Sequence, residues 1–151
     1  MGRVQVLSVD TNILFHASNS RSPLQETAGG FLASHAQNTE FCVCELVLME
    51  LYILLRNPAV VEHPLSAAKA VKICQTFREN RQWRIIDYPG NLMSKIWRYA
   101  AEPSRGRRTI FAARLAFTLR HHGVTEFATR DLEHFQDFGF DRVWDPLGGP
   151  A

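Results

Sequence analysis

The run Val4-Gln5-Val6-Leu7-Ser8-Val9 constrains this chain most. It is apolar and β-branched with little alternation, and it stops at an acid, Asp10. A strand that is apolar on both faces needs cover on both faces, which only a parallel sheet between helix layers supplies. The same unit returns at Phe41-Cys42-Val43-Cys44, at Trp83–Tyr88 and at Val124–Ala128, with a short edge strand expected at Arg142-Val143-Trp144. Helix patterns fill the gaps: Ile13 onward, Leu24–Ala36, Glu45–Arg56, Leu65–Glu79, Leu92–Ala101 and Thr109–His122, then a turn at Leu132–Phe138. In the fourth of these, Ala68, Val71, Ile73 and Phe77 are expected to face inward; in the fifth, Met93, Ile96, Trp97 and Ala100 are the apolar set. Asn57-Pro58 and Gly123 mark helix ends. Alternation of strand and helix predicts an α/β domain of three layers around a central, mainly parallel sheet.

The chain of 151 residues suits one such domain. No repeat, linker or second domain interrupts it, so residues 1–147 are read as one unit and 148–151 as a fraying tail. A hydrophobic fraction of 46% and a charged fraction of 21% exclude a disordered or fibrous chain. No apolar run approaches the ~18 residues a membrane span needs. Met1-Gly2-Arg3 leads directly into strand-like sequence, without a signal-peptide pattern. Cys42, Cys44 and Cys74 are an odd set, read as free thiols in a reducing cytoplasm, with the first two on one face of a buried strand. The net charge of +2 does not by itself call for nucleic acid. The distribution says more: 14 of the 17 basic residues are Arg, and Arg105, Arg107, Arg108, Arg114 and Arg120 crowd together. Arg is the better phosphate ligand because its planar fork bonds bidentately. The alternative is a solvated helix face.

Ligands of open parallel sheets bind beyond the carboxyl ends of the strands. Asp10 and Asp131 fall there. Glu50 interrupts the apolar stretch Leu46–Leu55; it faces either the same edge or open solvent. Taken singly, Asp10 is also a natural helix cap and Asp131 a natural turn residue. Clustered carboxylates repel one another unless a cation joins them, and hard oxygen ligands suit Mg²⁺ or Mn²⁺. Glu133, His134 and Asp137 read as surface charge on a short helix. His121-His122 suit a helix C-terminus, and Glu45 a helix start. His16 lies within reach of the cleft.

Five segments carry a resemblance: Val9-Asp10-Thr11-Asn12-Ile13-Leu14; Leu46-Val47-Leu48-Met49-Glu50-Leu51; Ile110 through Ala116; His122-Gly123-Val124; and Ala128-Thr129-Arg130-Asp131 with Phe135. Together, in this order and spacing, the chain resembles the PIN-domain ribonucleases, and within them the VapC toxins of bacterial toxin–antitoxin pairs. The tail from Gly139-Phe140 to Trp144-Asp145-Pro146 resembles one branch of that group. The resemblance implies a Rossmann-like sheet and an endoribonuclease using Mg²⁺ or Mn²⁺ held by a quartet of acids. It also implies a small antitoxin partner, an RNA substrate and a homodimer. Carried over by position, Asp10 is the first acid, Glu50 the second and Asp131 the fourth. Asn12 would cap the first helix and orient Asp10, and Thr129 would hydrogen-bond within the site. Arg108, Arg114 and Arg130 become candidates to grip RNA phosphates.

The third acid is missing: Ala112 stands where the family's pattern puts Asp. Either the chain is a naturally weakened member, or Ala replaces Asp there by design. On both readings metal affinity and activity are expected to fall. A rival reading makes the chain a non-catalytic binding module whose acidic cleft receives an Arg-rich peptide.

Overall fold

The computed structural model describes residues 4–148. Met1-Gly2-Arg3 and the tail beyond Gly148 lie outside them, so the expected fraying and the reading of the N-terminus are not addressed. Five strands form one sheet: β1 Leu7–Val9, β2 Phe41–Cys44, β3 Arg84–Ile86, β4 Glu126–Ala128 and β5 Arg142–Trp144. Their order is β3-β2-β1-β4-β5, and every neighbouring pair runs parallel. The sheet is thus wholly parallel. Helices α1 Thr11–Ser18, α2 Gln25–Ser34, α3 Glu45–Leu55, α4 Ala67–Arg78, α5 Met93–Ala100, α6 Thr109–His121 and α7 Leu132–Phe135 connect the strands and cover both faces. This is the expected three-layer α/β architecture.

Cover on both faces explains the unbroken apolar strands. All four residues of β2 are fully buried, so Cys42 and Cys44 are buried free thiols, and alternation within the strand is invisible. Phe41 stacks on Trp83 at 4.4 Å between centroids, closing the core under β3. Ser8, the one polar residue inside β1, donates its hydroxyl to the Cys42 carbonyl at 2.6 Å.

Four expectations shift. The first strand begins at Leu7, because its partners begin at Phe41 and Glu126. Val4 is exposed, while the Val6 carbonyl still accepts from the Thr125 and Glu126 amides. The third and fourth strands and the last helical turn are likewise shorter than their apolar runs. In α4, Ala68 and Val71 face solvent; Ala70 is buried, with Ile73 and Phe77 packed against the core. In α5, Ile96 takes the core position and Trp97 is exposed. Which apolar residue of a helix is covered is set by the neighbour it packs on.

Strand order reverses beside β1, with β2 on one side and β4 on the other. That reversal opens a crevice at the carboxyl ends of β1 and β4.

Candidate active site

Asp10 follows β1, and its amide continues the ladder by donating to the Ala128 carbonyl at 2.9 Å. Its side chain is also the cap of α1: Oδ1 accepts from the Thr11 amide at 2.8 Å. Oδ2 accepts from the Thr129 hydroxyl at 2.6 Å. The Thr129 oxygen in turn accepts from the Asp131 amide at 2.9 Å. Thr129, fully buried, therefore ties the first acid to the backbone of the last. Asp10 is 7% exposed, and burial pushes its pKa up from 3.8 to about 6. The bonds from Thr129 and Thr11 oppose that rise, while the nearby charges of Glu50 and Asp131 add to it.

Glu50 sits on the open side of α3. Val47, Leu48, Leu51 and Leu55 of this helix are buried, but Met49 and Ile53 are exposed. Glu50 lies among the exposed set and accepts from the Thr11 hydroxyl at 3.0 Å. Thus Thr11 bonds both acids, through its amide and through its hydroxyl. An open cleft of about 620 Å³ is lined by Asp10, Glu50, Ala112 and Asp131 together. Glu50 faces solvent and the strand-end crevice at once, because the crevice is open.

Asn12 differs from expectation. Asp10 itself is the cap, and Asn12 Oδ1 accepts from the Arg130 amide at 3.3 Å, fastening α1 to the loop after β4. The three arginines also separate. Arg108 and Arg114 line the cleft. The Arg130 guanidinium instead pairs with Asp145 at 3.4 Å. His134, read above as surface charge, bonds Asp131 Oδ1 through Nδ1 at 2.6 Å and lines the same cleft. That bond holds its imidazole above the ordinary value. The spacing Asp131-x-x-His134 on one helical turn was the available signal. His16 is turned elsewhere, bonded to Ser22 at 2.7 Å. Glu45 starts α3 as expected and also pairs with Arg78 at 2.5 Å.

Ala112 has no ligand atom to offer, and Asp131 already shares a bond with His134. Among the described residues, no three His, Cys, Asp or Glu side chains are grouped to hold a metal ion. The donor set present does not make a complete divalent-ion centre.

The PIN domain model matches residues 7–141. The chain belongs to the PIN-domain family. Within it the chain is a VapC homologue: Ribonuclease VapC24 of Mycobacterium tuberculosis, from strains CDC 1551 and H37Rv alike, is 54% identical over 142 residues. That alignment covers 94% of this chain and 97% of the relative. Solved structures share the PIN fold at lower identity. VapC20 of M. tuberculosis, described as a sarcin-ricin loop cleaving toxin, superposes with TM-score 0.67 at 18% identity over 89% of this chain and 95% of its own. FitAcB of Neisseria gonorrhoeae gives 0.63 at 18% over 94% and 99%. FitAB bound to an IR36 DNA fragment gives 0.64 at 16% over 96% and 98%.

Proposed function

We propose that this VapC homologue is built as an endoribonuclease toxin that receives RNA in the Asp10–Glu50–Asp131 cleft, with cleavage impaired by Ala112. The observation that carries this is the convergence of those three acids and position 112 on one cleft. The 54% identity to a ribonuclease supports the substrate class. Mg²⁺ or Mn²⁺ belongs to the reading only with a fourth carboxylate at 112. Asp10, Glu50 and Asp131 would then be the other ligands. With Ala at 112 no cleavage step through a metal is assigned to this chain.

The test is restoration. Ala112→Asp adds carboxylate oxygens near the start of α6, where Asp costs at most ~0.7 kcal/mol of helix propensity. Calorimetry should show Mn²⁺ binding strengthened, and the variant should cleave RNA and arrest growth when expressed alone. Asp10→Ala in that background should abolish both effects. If the chain with Ala112 already cuts RNA as fast as Ala112→Asp, the assignment of position 112 fails.

A second role rests on a separate observation. Met49 and Ile53 stay exposed on α3 along the cleft, an apolar edge beside acids. We read this as the seat of a small antitoxin whose apolar helix covers α3 and whose basic residue meets the carboxylates. This binding needs no third acid. Co-expression with the adjacent small gene should give a stable complex, weakened by Met49→Glu; no complex would remove the toxin assignment. The proposed homodimer predicts a solution mass near twice 17.2 kDa.

A further inference from the structure

Arg114 and Phe111 lie one turn apart on α6 and both line the cleft beside Ala112. Two features of this pair are unexplained by folding. The Arg114 Nε is buried and has no hydrogen-bond partner. Phe111 is 59% exposed. A buried donor left unpaired costs stability, and an exposed aromatic ring forfeits its burial. Three carboxylates share the cleft, yet among the described residues none forms an ion pair with Arg114. The other basic groups nearby do not duplicate it: Arg130 is paired with Asp145, and Arg108 stands exposed at the head of the helix. The Arg114 guanidinium carbon lies over one side of the Phe111 ring, 5.8 Å from its centroid, so cation and ring are presented together to the cleft.

We propose that Phe111 and Arg114 form a subsite for one unpaired nucleotide of RNA, the base stacking on Phe111 and the adjoining phosphate bonding Arg114. The inference rests on the RNA-substrate reading above and deepens it. A ring face accepts any base, because every base has a π-face to stack on it. A phosphate brings the acceptor oxygens that the terminal N–H groups of a guanidinium fit. An apolar peptide would cover Phe111 but leave the Arg114 guanidinium without a counter-charge. The occupant is therefore an anion with a flat face, which is what a single-stranded nucleotide offers. The subsite sits one turn from position 112, so it would hold the strand across the acids. Inside a duplex both faces of a base are stacked on its neighbours, so Phe111 reaches only an unstacked base.

The chain with Ala112 allows binding to be read without cleavage. A fluorescein-labelled single-stranded RNA oligonucleotide is titrated by anisotropy between 50 and 200 mM salt, roughly the range over which phosphate contacts reveal themselves. Phe111→Ala should weaken binding about tenfold with the salt slope unchanged, and Phe111→Tyr should recover it. Arg114→Gln should weaken binding about tenfold and lower the slope by ~0.7, the share of one single-strand phosphate contact. Arg114→Lys should keep the slope while losing part of the affinity. Lys69→Gln, exposed on α4 outside the cleft, should change neither, and duplex of the same sequence should bind all variants alike. Unfolding curves coincident with the parent exclude loss of fold. RNA bound by the parent and equally by Phe111→Ala and Arg114→Gln overturns the subsite alone. So does loss of antitoxin binding by Phe111→Ala with RNA binding intact, which would give the ring to a protein partner. Absence of RNA binding by the parent chain overturns the substrate reading together with the subsite.

Discussion

Asp10 holds three jobs at once: strand terminus, helix cap and buried acid. The last opposes stability. Its pKa in the folded chain is about 6 against 3.8 unfolded, so the native state binds the proton more tightly. Stability is therefore lost as pH rises from about 4 to about 6, and the loss is complete above that, about 3 kcal/mol in all. Asp10→Asn keeps a side chain that accepts from Thr11 but carries no charge. In EDTA its unfolding free energy should match the parent near pH 3.5 and exceed it by up to about 3 kcal/mol at pH 7.5. Urea melts at the two pH values check this; an equal gap at both would show that the charge is not the cause. Thr129 is the counterweight. Thr129→Val removes the 2.6 Å bond to Asp10 and strands the Asp131 amide. It should cost about 2 kcal/mol at neutral pH. The Asp10 carboxyl should also titrate higher, readable as a pH-dependent step moved upward.

Among the elements, α2 and α6 put glycine to opposite uses. Gly30 lies within α2 with nothing within 4 Å of where a Cβ would stand. Gly30→Ala should stabilise by about 0.5–1 kcal/mol, since alanine loses less entropy on entering a helix. Gly123 follows α6 at φ 82°, a left-handed conformation that lets the chain turn into β4. Gly123→Ala should destabilise by about 1–2 kcal/mol although no atom obstructs the new methyl. Thermal melts of the pair should move in opposite directions. For α3, the sequence shows apolar residues nearly all round, and this pattern could not say which face stays open. The packing of α1 and α4 on α3 decides it, leaving Met49, Glu50 and Ile53 to the cleft.

Across the whole molecule, the three-layer arrangement sets which groups chemistry can reach. Cys42 and Cys44 lie in the central sheet, and burial raises both thiols, Cys44 to about 11. Cys74, on α4, is only partly covered. An aromatic disulfide reagent should modify Cys74 first, and Cys42 and Cys44 only after denaturation. Rapid native reaction of all three would mean that the sheet opens. Among the described residues, no helix is long and apolar enough to cross a membrane.

The sequence by itself determined the parallel sheet, because strands such as Phe41–Cys44 are apolar on both faces and only a double cover satisfies that. It also determined the acids at strand ends, since a charged residue closing an apolar run has to sit where the sheet meets water. It did not determine that Asp10, rather than Asn12, caps α1, or that His134 joins Asp131. Nor did it show that Arg114 reaches the cleft while Arg130 turns to Asp145. Those outcomes depend on contacts between residues distant in the chain, such as Thr129 with Asp10. Local pattern fixes which side of an element is apolar; only the assembled neighbours fix which polar atoms meet, because a hydrogen bond requires both partners within about 3 Å.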